Sequence, residues 1–447
     1  MMSTDYMKLA DALATDIVEG RLKPGDRLPP QRSFAYDRGI AASTASRVYA
    51  ELLRRGLVVG EVGRGTFISG SPTAGAAVAA EPRDARVDLE FNYPILPVQS
   101  ELMAQSLAGL LQPEALHPAL SHATSGGTPA LRELSTRVIG RGGWCPRPDE
   151  LAFTGNGRQC IAAALAALVP TGGRCGVEAI TYPFVKGIAA RLGLALVPLA
   201  MDKAGVRPDA IEKAHREARL SALYLQPVLH NPLGIAMSPE RRNDVARLAQ
   251  KLDLPIIEDA IYGFLSDDPP LAAQAPEHCV LLDSLSKRIA PGLTLGFIRS
   301  PARLRENVMA SIRSGGWAAT GFAFAAAQRM MSDGTVTELV KRKREDAAQR
   351  QRVAAECLAG FTVEADSRSY HLWLPLPEHW RSQAVVAAAA RRGIALTPSS
   401  AFAVSAGHAP NAIRLALATP PLERLREALQ TLARMLNARE EEFDFTE

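Results

Sequence analysis

The chain has 447 residues, 47% hydrophobic and 22% charged, with a formal net charge of +4. That length exceeds one ordinary core and fits a large domain plus a small module. The composition excludes extended disorder, and a near-neutral sum does not by itself mark a nucleic-acid binder.

Five cysteines, Cys145, Cys160, Cys175, Cys279 and Cys357, are scattered without a CxxC pair or a histidine at ligand spacing. Neither a disulfide framework nor a metal site is expected. Asp5, Asp11, Asp16 and Glu19 interrupt the N-terminal stretch, which therefore has no apolar run of signal or membrane-spanning length. A cytoplasmic protein with no membrane partner is expected.

In chain order, Leu9, Leu13 and Ile17 form one apolar stripe over residues 6–19, a helix that Gly20 stops. Lys23-Pro24-Gly25-Asp26 reads as a turn. A short helix over Gln31 to Asp37 is broken by Gly39, and Ser43 or Thr44 opens a third helix to Arg55, with Val48, Leu52 and Leu53 inward and Gly56 closing it. Two β-prone runs between Leu57 and Ile68 flank a Gly63-Arg64-Gly65 tip, the pattern of a hairpin. Three helices and a hairpin make a winged helix-turn-helix over residues 1–70.

Residues 71–88 turn to Ala, Gly, Pro and mixed charge and read as a linker. From residue 89 to 447, apolar runs such as Leu223-Tyr224-Leu225, Leu254 to Ile257 and Val280 to Leu282 alternate with helical stretches such as Cys160 to Leu168 and Pro239 to Lys251. That alternation predicts an α/β domain with a mainly parallel sheet. The part after Pro301 is more helical and ends in Leu422 to Leu436.

The start of the third helix is where a helix-turn-helix reaches base edges, and flanking groups hold phosphates. Ser43, Thr44 and Arg47 occupy that start, Arg32 opens the preceding helix, and Arg64 at the hairpin tip suits a minor groove. These residues are the candidate contacts to a double-stranded DNA operator. Gly20-x-Leu22-x-Pro24-Gly25-x-x-Leu28-Pro29-x-x-Arg32, Thr44-x-x-x-x-Tyr49-x-x-Leu52 and Gly63-x-Gly65-Thr66-Phe67 resemble the GntR superfamily of bacterial regulators. Ala42 stands where many members carry Arg, and Phe34 where Leu is frequent.

A second constellation suits pyridoxal 5'-phosphate, which needs an amine for a Schiff base, an acid at its ring nitrogen, donors at its phenolic oxygen, a ring stacker and a phosphate cradle. Lys287 supplies the amine, Asp259 the acid, Asn231 and Tyr262 the donors, and Tyr182 the stacker. Gly157, Arg158 and Gln159 open a helix whose free N–H groups receive phosphate, with Ser284 and Ser286 alongside.

Asn231-Pro232, Asp259-x-x-Tyr262 and Ser284-x-Ser286-Lys287, in that order, resemble the fold-type I aminotransferases over roughly residues 89–440. The resemblance implies a smaller C-terminal α+β subdomain and a carboxylate-binding Arg414 in Asn411-Ala412-Ile413-Arg414-Leu415. It departs at three places. Thr294 replaces the usual phosphate-binding Arg, a loss that adjacent Arg288 is the candidate to offset. His122 replaces a Tyr that reaches the neighbouring subunit's phosphate, and Ile180 replaces Pro.

Module and large domain together resemble the MocR-type subgroup of GntR regulators. That resemblance implies a homodimeric, pyridoxal phosphate dependent transcription factor whose DNA-binding modules pack on the partner's large domain. The expected ligand is an amino acid, an amine or the vitamer itself, sensed through Lys287. The alternative is a metabolic aminotransferase with an accessory DNA-binding module; the departures at Thr294 and His122 favour sensing over sustained turnover.

Overall fold

The computed structural model describes residues 5–18, 21–23, 25–54, 57–61, 65–68, 86–121, 124–405 and 409–438. Its first unit comprises α1 (Asp5–Val18), α2 (Gln31–Asp37), α3 (Ala42–Arg54) and the antiparallel strands β1 (Val58–Glu61) and β2 (Gly65–Ile68). Leu13, Phe34, Val48, Leu52 and Ile68 bury one common core. Phe34 fills its place by meeting the Tyr49 ring edge-on at 5.4 Å.

The third helix begins at Ala42, one residue before the expected start. The Ala41 carbonyl accepts from the N–H groups of Thr44 and Ala45 and so closes the first turn. The Gly20 and Gly56 stops and the Gly63-Arg64 tip lie outside the described residues.

The large domain is built on seven strands: β3 (Leu151–Thr154), β4 (Arg174–Glu178), β5 (Ala195–Leu199), β6 (Ala222–Leu225), β7 (Ile256–Asp259), β8 (Cys279–Ser284) and β9 (Gly296–Arg299). Their order is β3-β9-β8-β7-β6-β4-β5, parallel except for β9, which runs antiparallel to both neighbours. Helices cover both faces, so strands such as β6, β7 and β8 are buried along their whole length and read as continuous apolar runs. Successive residues still serve opposite cores: Val280 and Leu282 face one, Leu281 the other.

Polar side chains at the carboxyl ends of β7 and β8 therefore emerge on one rim of the sheet, which is the crevice where such folds bind ligands. Two helices after Pro301, Ala302–Ser314 and Gly321–Ser332, also belong to this large unit, since Val308 and Met330 lie in its cores.

The smaller C-terminal unit begins on the 23-residue helix α6 (Thr335–Cys357) and holds the antiparallel strands β10 (His371–Pro375), β11 (Thr397–Pro398) and β12 (Ala412–Ala416), backed by α7 (Ser382–Arg391) and α8 (Leu422–Asn437). Leu89, Val385, Leu415 and Leu429 share its core.

One expectation changes here: of the expected linker 71–88, Val87 and Asp88 pair in parallel with Ile394 and Ala395, so the chain has joined the C-terminal unit by then. The DNA-binding module and the C-terminal unit meet at Arg381. Among the described residues no helix is long and apolar enough to cross a membrane.

Candidate functional site

A cavity of about 730 Å³ opens between the sheet rim and the C-terminal unit. Gly157, Arg158, Tyr182, Asn231, Asp259, Tyr262, Ser284, Ser286, Lys287 and Arg414 all line it, although they come from six separate segments.

Lys287 sits in the four-residue helix α5' that spans Leu285–Arg288, and Ser284 caps it by accepting from the Ser286 N–H at 3.2 Å. Its Nζ donates to the Asn92 carbonyl and lies 3.8 Å from the centre of the Tyr93 ring. Burial, with the cations Arg414, Arg158 and Lys343 nearby, holds the amine well below its ordinary 10.5. A deprotonated amine is a nucleophile.

Helix ends leave carbonyls without partners, and here Lys343 on α6 supplies them. Its fully buried Nζ donates to the carbonyls of Lys287 at 3.1 Å and Ile289 at 2.6 Å. Burial brings this second amine down to about 7.

Asp259 closes β7 and is itself buried. It accepts from Tyr224 Oη at 2.5 Å and from the Ile261 N–H at 3.1 Å. Burial still dominates and pushes its carboxyl up to about 6, with Asp283 and Glu178 adding to the rise.

Two more side chains are oriented by their neighbours. Asn231 Oδ1 accepts from Arg414 Nη1 at 3.3 Å, which leaves the amide N–H groups to donate elsewhere. Tyr262 Oη accepts from Asn92 Nδ2 at 3.0 Å and so keeps its own proton to donate. Arg414 also donates to the Glu90 carbonyl and to Thr397 Oγ1, while its buried Nε has no partner among the described residues.

At the far end, Asn156 caps helix α4 (Gly157–Leu168) by accepting from the Gln159 N–H at 3.0 Å. A Cβ on Gly157 would come within 3.3 Å of Ser284 Oγ, so a glycine lets this backbone approach the serines. Thr294 shares a 2.7 Å hydroxyl contact with Ser286, and the Arg158 guanidinium stacks 3.6 Å from the Phe184 ring.

Two expected cofactor contacts do not reach the cavity. Arg288 is buried in a pair with Asp283 and faces the Phe264 ring, because consecutive helical residues project about 100° apart. It therefore does not stand in for the Arg absent at 294. Gln159 spends its N–H on Asn156, and its side chain folds back over Gly155. His122 lies outside the described residues.

Sequence reasoning missed Asn92, Tyr93, Tyr224, Lys343 and His371. His371 is buried with its ring 5.2 Å from Tyr262, and burial holds it down at about 3, so it stays neutral. Only Tyr224 carried a local signal: a phenol inside an apolar run needs a partner for its hydroxyl.

On the module, Arg32, Ser43 and Arg47 are exposed and Thr44 is half-buried at the start of α3, as a reading helix requires. Arg64 lies outside the described residues.

Residues 5–68 match the bacterial regulatory proteins of the gntR family, and residues 112–432 match aminotransferase class I and II. The chain is 30% identical over 437 residues to an uncharacterized HTH-type transcriptional regulator, YdeF, of Bacillus subtilis, covering 97% of this chain and 94% of that one. It is 25% identical to the vitamin B6 salvage pathway transcriptional repressor PtsJ of Salmonella typhimurium, covering 92% and 94%. An archaeal alanine:glyoxylate aminotransferase superposes with a TM-score of 0.72 at 20% identity, over 81% of this chain and 93% of that one, a likeness of fold. The protein is thus a member of the MocR-type subgroup of GntR regulators, a winged helix-turn-helix joined to a fold-type I aminotransferase domain.

Proposed function

We propose that this protein is a cytoplasmic, homodimeric transcriptional regulator that binds pyridoxal 5'-phosphate at Lys287 and reads an amino acid, amine or B6 vitamer there. The observation that carries the reading is the meeting, in one cavity, of a suppressed amine at Lys287 and a buried acid at Asp259, in a chain that also presents α3 to solvent. Similarity to a repressor named for vitamin B6 salvage supports it.

The donor set fits the cofactor. Asp259 would hold the ring nitrogen, Asn231 and Tyr262 the phenolic oxygen, and Tyr182 a ring face. Gly157 and Arg158 at the start of α4, with the hydroxyls of Ser284 and Ser286, would take the phosphate. Bound there, the group supplies an electrophilic carbon for amine chemistry. Neutral hydroxyls in place of a guanidinium make a weaker phosphate clamp, which suits a site that samples its ligand more than one that retains it through many turnovers.

Arg414, with its planar fork and an unpaired Nε, is suited to an effector's carboxylate, which favours an amino acid. An effector that binds one arrangement of the two large units better shifts the population toward it and changes the spacing of the paired modules.

Protein incubated with excess pyridoxal 5'-phosphate and desalted should keep a visible absorbance band that Lys287→Ala lacks. A colourless wild type refutes the cofactor assignment. On a duplex from the upstream region of its own gene, Thr44→Ala and Arg47→Ala should each weaken binding about tenfold with the band intact. Unchanged affinity in both would remove α3 as the reading helix.

A further inference from the structure

An amino acid presents three groups, and the residues already placed account for two of them. Arg414 is suited to the carboxylate, and Lys287 marks where an amine must arrive. Asp259, Asn231, Tyr262 and the serines would be occupied by the cofactor at the sheet rim. The side chain is left with the wall that α7 and residues 396–402 build, together with Phe91 and Tyr93.

That wall is apolar. Residues three and four apart share one face of a helix, so α7 fixes Val385, Ala388 and Ala389 in the core of the C-terminal unit and turns Val386, Ala387 and Ala390 to the cavity. Ala387 and Ala390 are exposed and short, which leaves room for a large group beside them. Leu396 and Phe402 extend the surface, and the Phe402 ring lies 5.2 Å from the Arg414 guanidinium. Phe91 and Tyr93 stack with their planes 9° apart, and both are only half-buried.

Polar groups along the wall are already matched. Gln383 donates to Ser400 Oγ at 3.3 Å, and Thr397 Oγ1 accepts from Arg414. A basic side chain would meet no unclaimed carboxylate among the described residues that line the cavity: Asp283 is paired with Arg288, Glu90 has a partner, and Asp259 would serve the ring nitrogen. An acidic one would have to draw Arg158 away from the Phe184 ring and from Tyr93 Oη, which its Nη2 reaches at 3.4 Å. Arg391 is likewise not free. Either charge would give up its hydration for little return, whereas an apolar group covers half-buried rings and methyls. A few polar groups that orient a ligand, beside an apolar lining that grips it, are the common build of a small-molecule site.

We infer that the effector is an amino acid with a large apolar side chain, aliphatic or aromatic, seated between α7, Phe402 and the Phe91–Tyr93 pair with its carboxylate on Arg414. The inference rests on the proposed reading of the cavity as the site of cofactor and effector, and it narrows that reading to one class of ligand.

Calorimetric titration of the full-length protein, loaded with pyridoxal 5'-phosphate and checked by its visible band, tests it with L-phenylalanine, L-leucine, L-alanine, L-glutamate and L-lysine. Phenylalanine and leucine should each bind at least about tenfold tighter than alanine, the gain from covering a side chain of that size. Glutamate and lysine should bind no tighter than alanine. Ala387→Asp sets a carboxylate on the wall outside the cofactor's contacts: it should keep the band, weaken phenylalanine and leucine about tenfold and bring lysine level with them or ahead. Ala390→Asp, one turn along α7, repeats the test at a second exposed position.

A wild type that carries the band yet prefers glutamate, lysine or alanine, or binds none of the five, would overturn the assigned class, as would the wild-type order of affinities persisting in both variants. A wild type that never acquires the band would instead remove the cofactor reading on which the inference depends.

Discussion

Replacing Asp259 by Asn should stabilise the cofactor-free protein and weaken cofactor binding. The carboxyl sits at about 6 against an ordinary 3.8, chiefly because burial disfavours its charge. A folded-state value above the unfolded one means that the native protein binds the proton more tightly between those two values. Stability is then fully present below pH 4 and is lost as pH rises through 6. At about 1.36 kcal/mol per pH unit, the gap corresponds to ~3 kcal/mol lost by neutral pH.

Asn keeps an acceptor for the Ile261 N–H, turns its amide N–H to Tyr224 Oη, which can accept, and carries no charge, so it escapes that loss. Thermal unfolding of both stripped proteins at pH 4.5 and 7.5 is the assay: the two should be nearly equal at the acid end, with the variant unfolding a few degrees higher at pH 7.5. The same variant cannot pair with a protonated ring nitrogen, and its cofactor titration should weaken at least tenfold. Parallel pH dependence in the two proteins, or a variant less stable at pH 7.5, would refute a buried, desolvated carboxyl at this position.

Lys343→Met should leave the carbonyls of Lys287 and Ile289 without donors, at a cost of about 2–4 kcal/mol in chemical denaturation. Cofactor binding should weaken with it, because α5' then loses the charged support of Lys343 from α6. Thr294→Arg restores a guanidinium beside Ser286 and should tighten cofactor binding about tenfold, measured by absorbance titration; weaker binding would show that the hydroxyl pair is itself the phosphate contact.

Elements that obey a local rule were legible in the sequence. The helix Pro239–Lys251 has its Ser238 cap and a proline at its first turn, and it ends where expected. Strands β6 to β8 were visible as apolar runs because both of their faces are covered. Lys287 and Asp259 were legible because an amine and an acid stand out at the ends of buried strands, whereas Arg414 came from the resemblance to the fold-type I aminotransferases.

What local pattern could not show was tertiary approach. Lys343 lies 56 residues from the carbonyl it supports, and Asn92 lies 195 residues from Lys287. Arg288 shows the reverse failure: adjacency in sequence suggested a shared role, and helical projection sends it to Asp283 instead. The 71–88 boundary failed because Val87-Asp88 is too short a strand to be seen without its partner Ile394-Ala395.

The pairing of Val87 with Ile394 also bounds where the module can go. Strand Val87–Asp88 and helix α7 belong to the same unit, and Ile68, the last described residue of the module, is only nineteen positions from Val87 in the chain. Nineteen residues span at most about 65 Å even fully extended, so however the module turns, its exposed third helix stays within reach of the unit that carries Arg414.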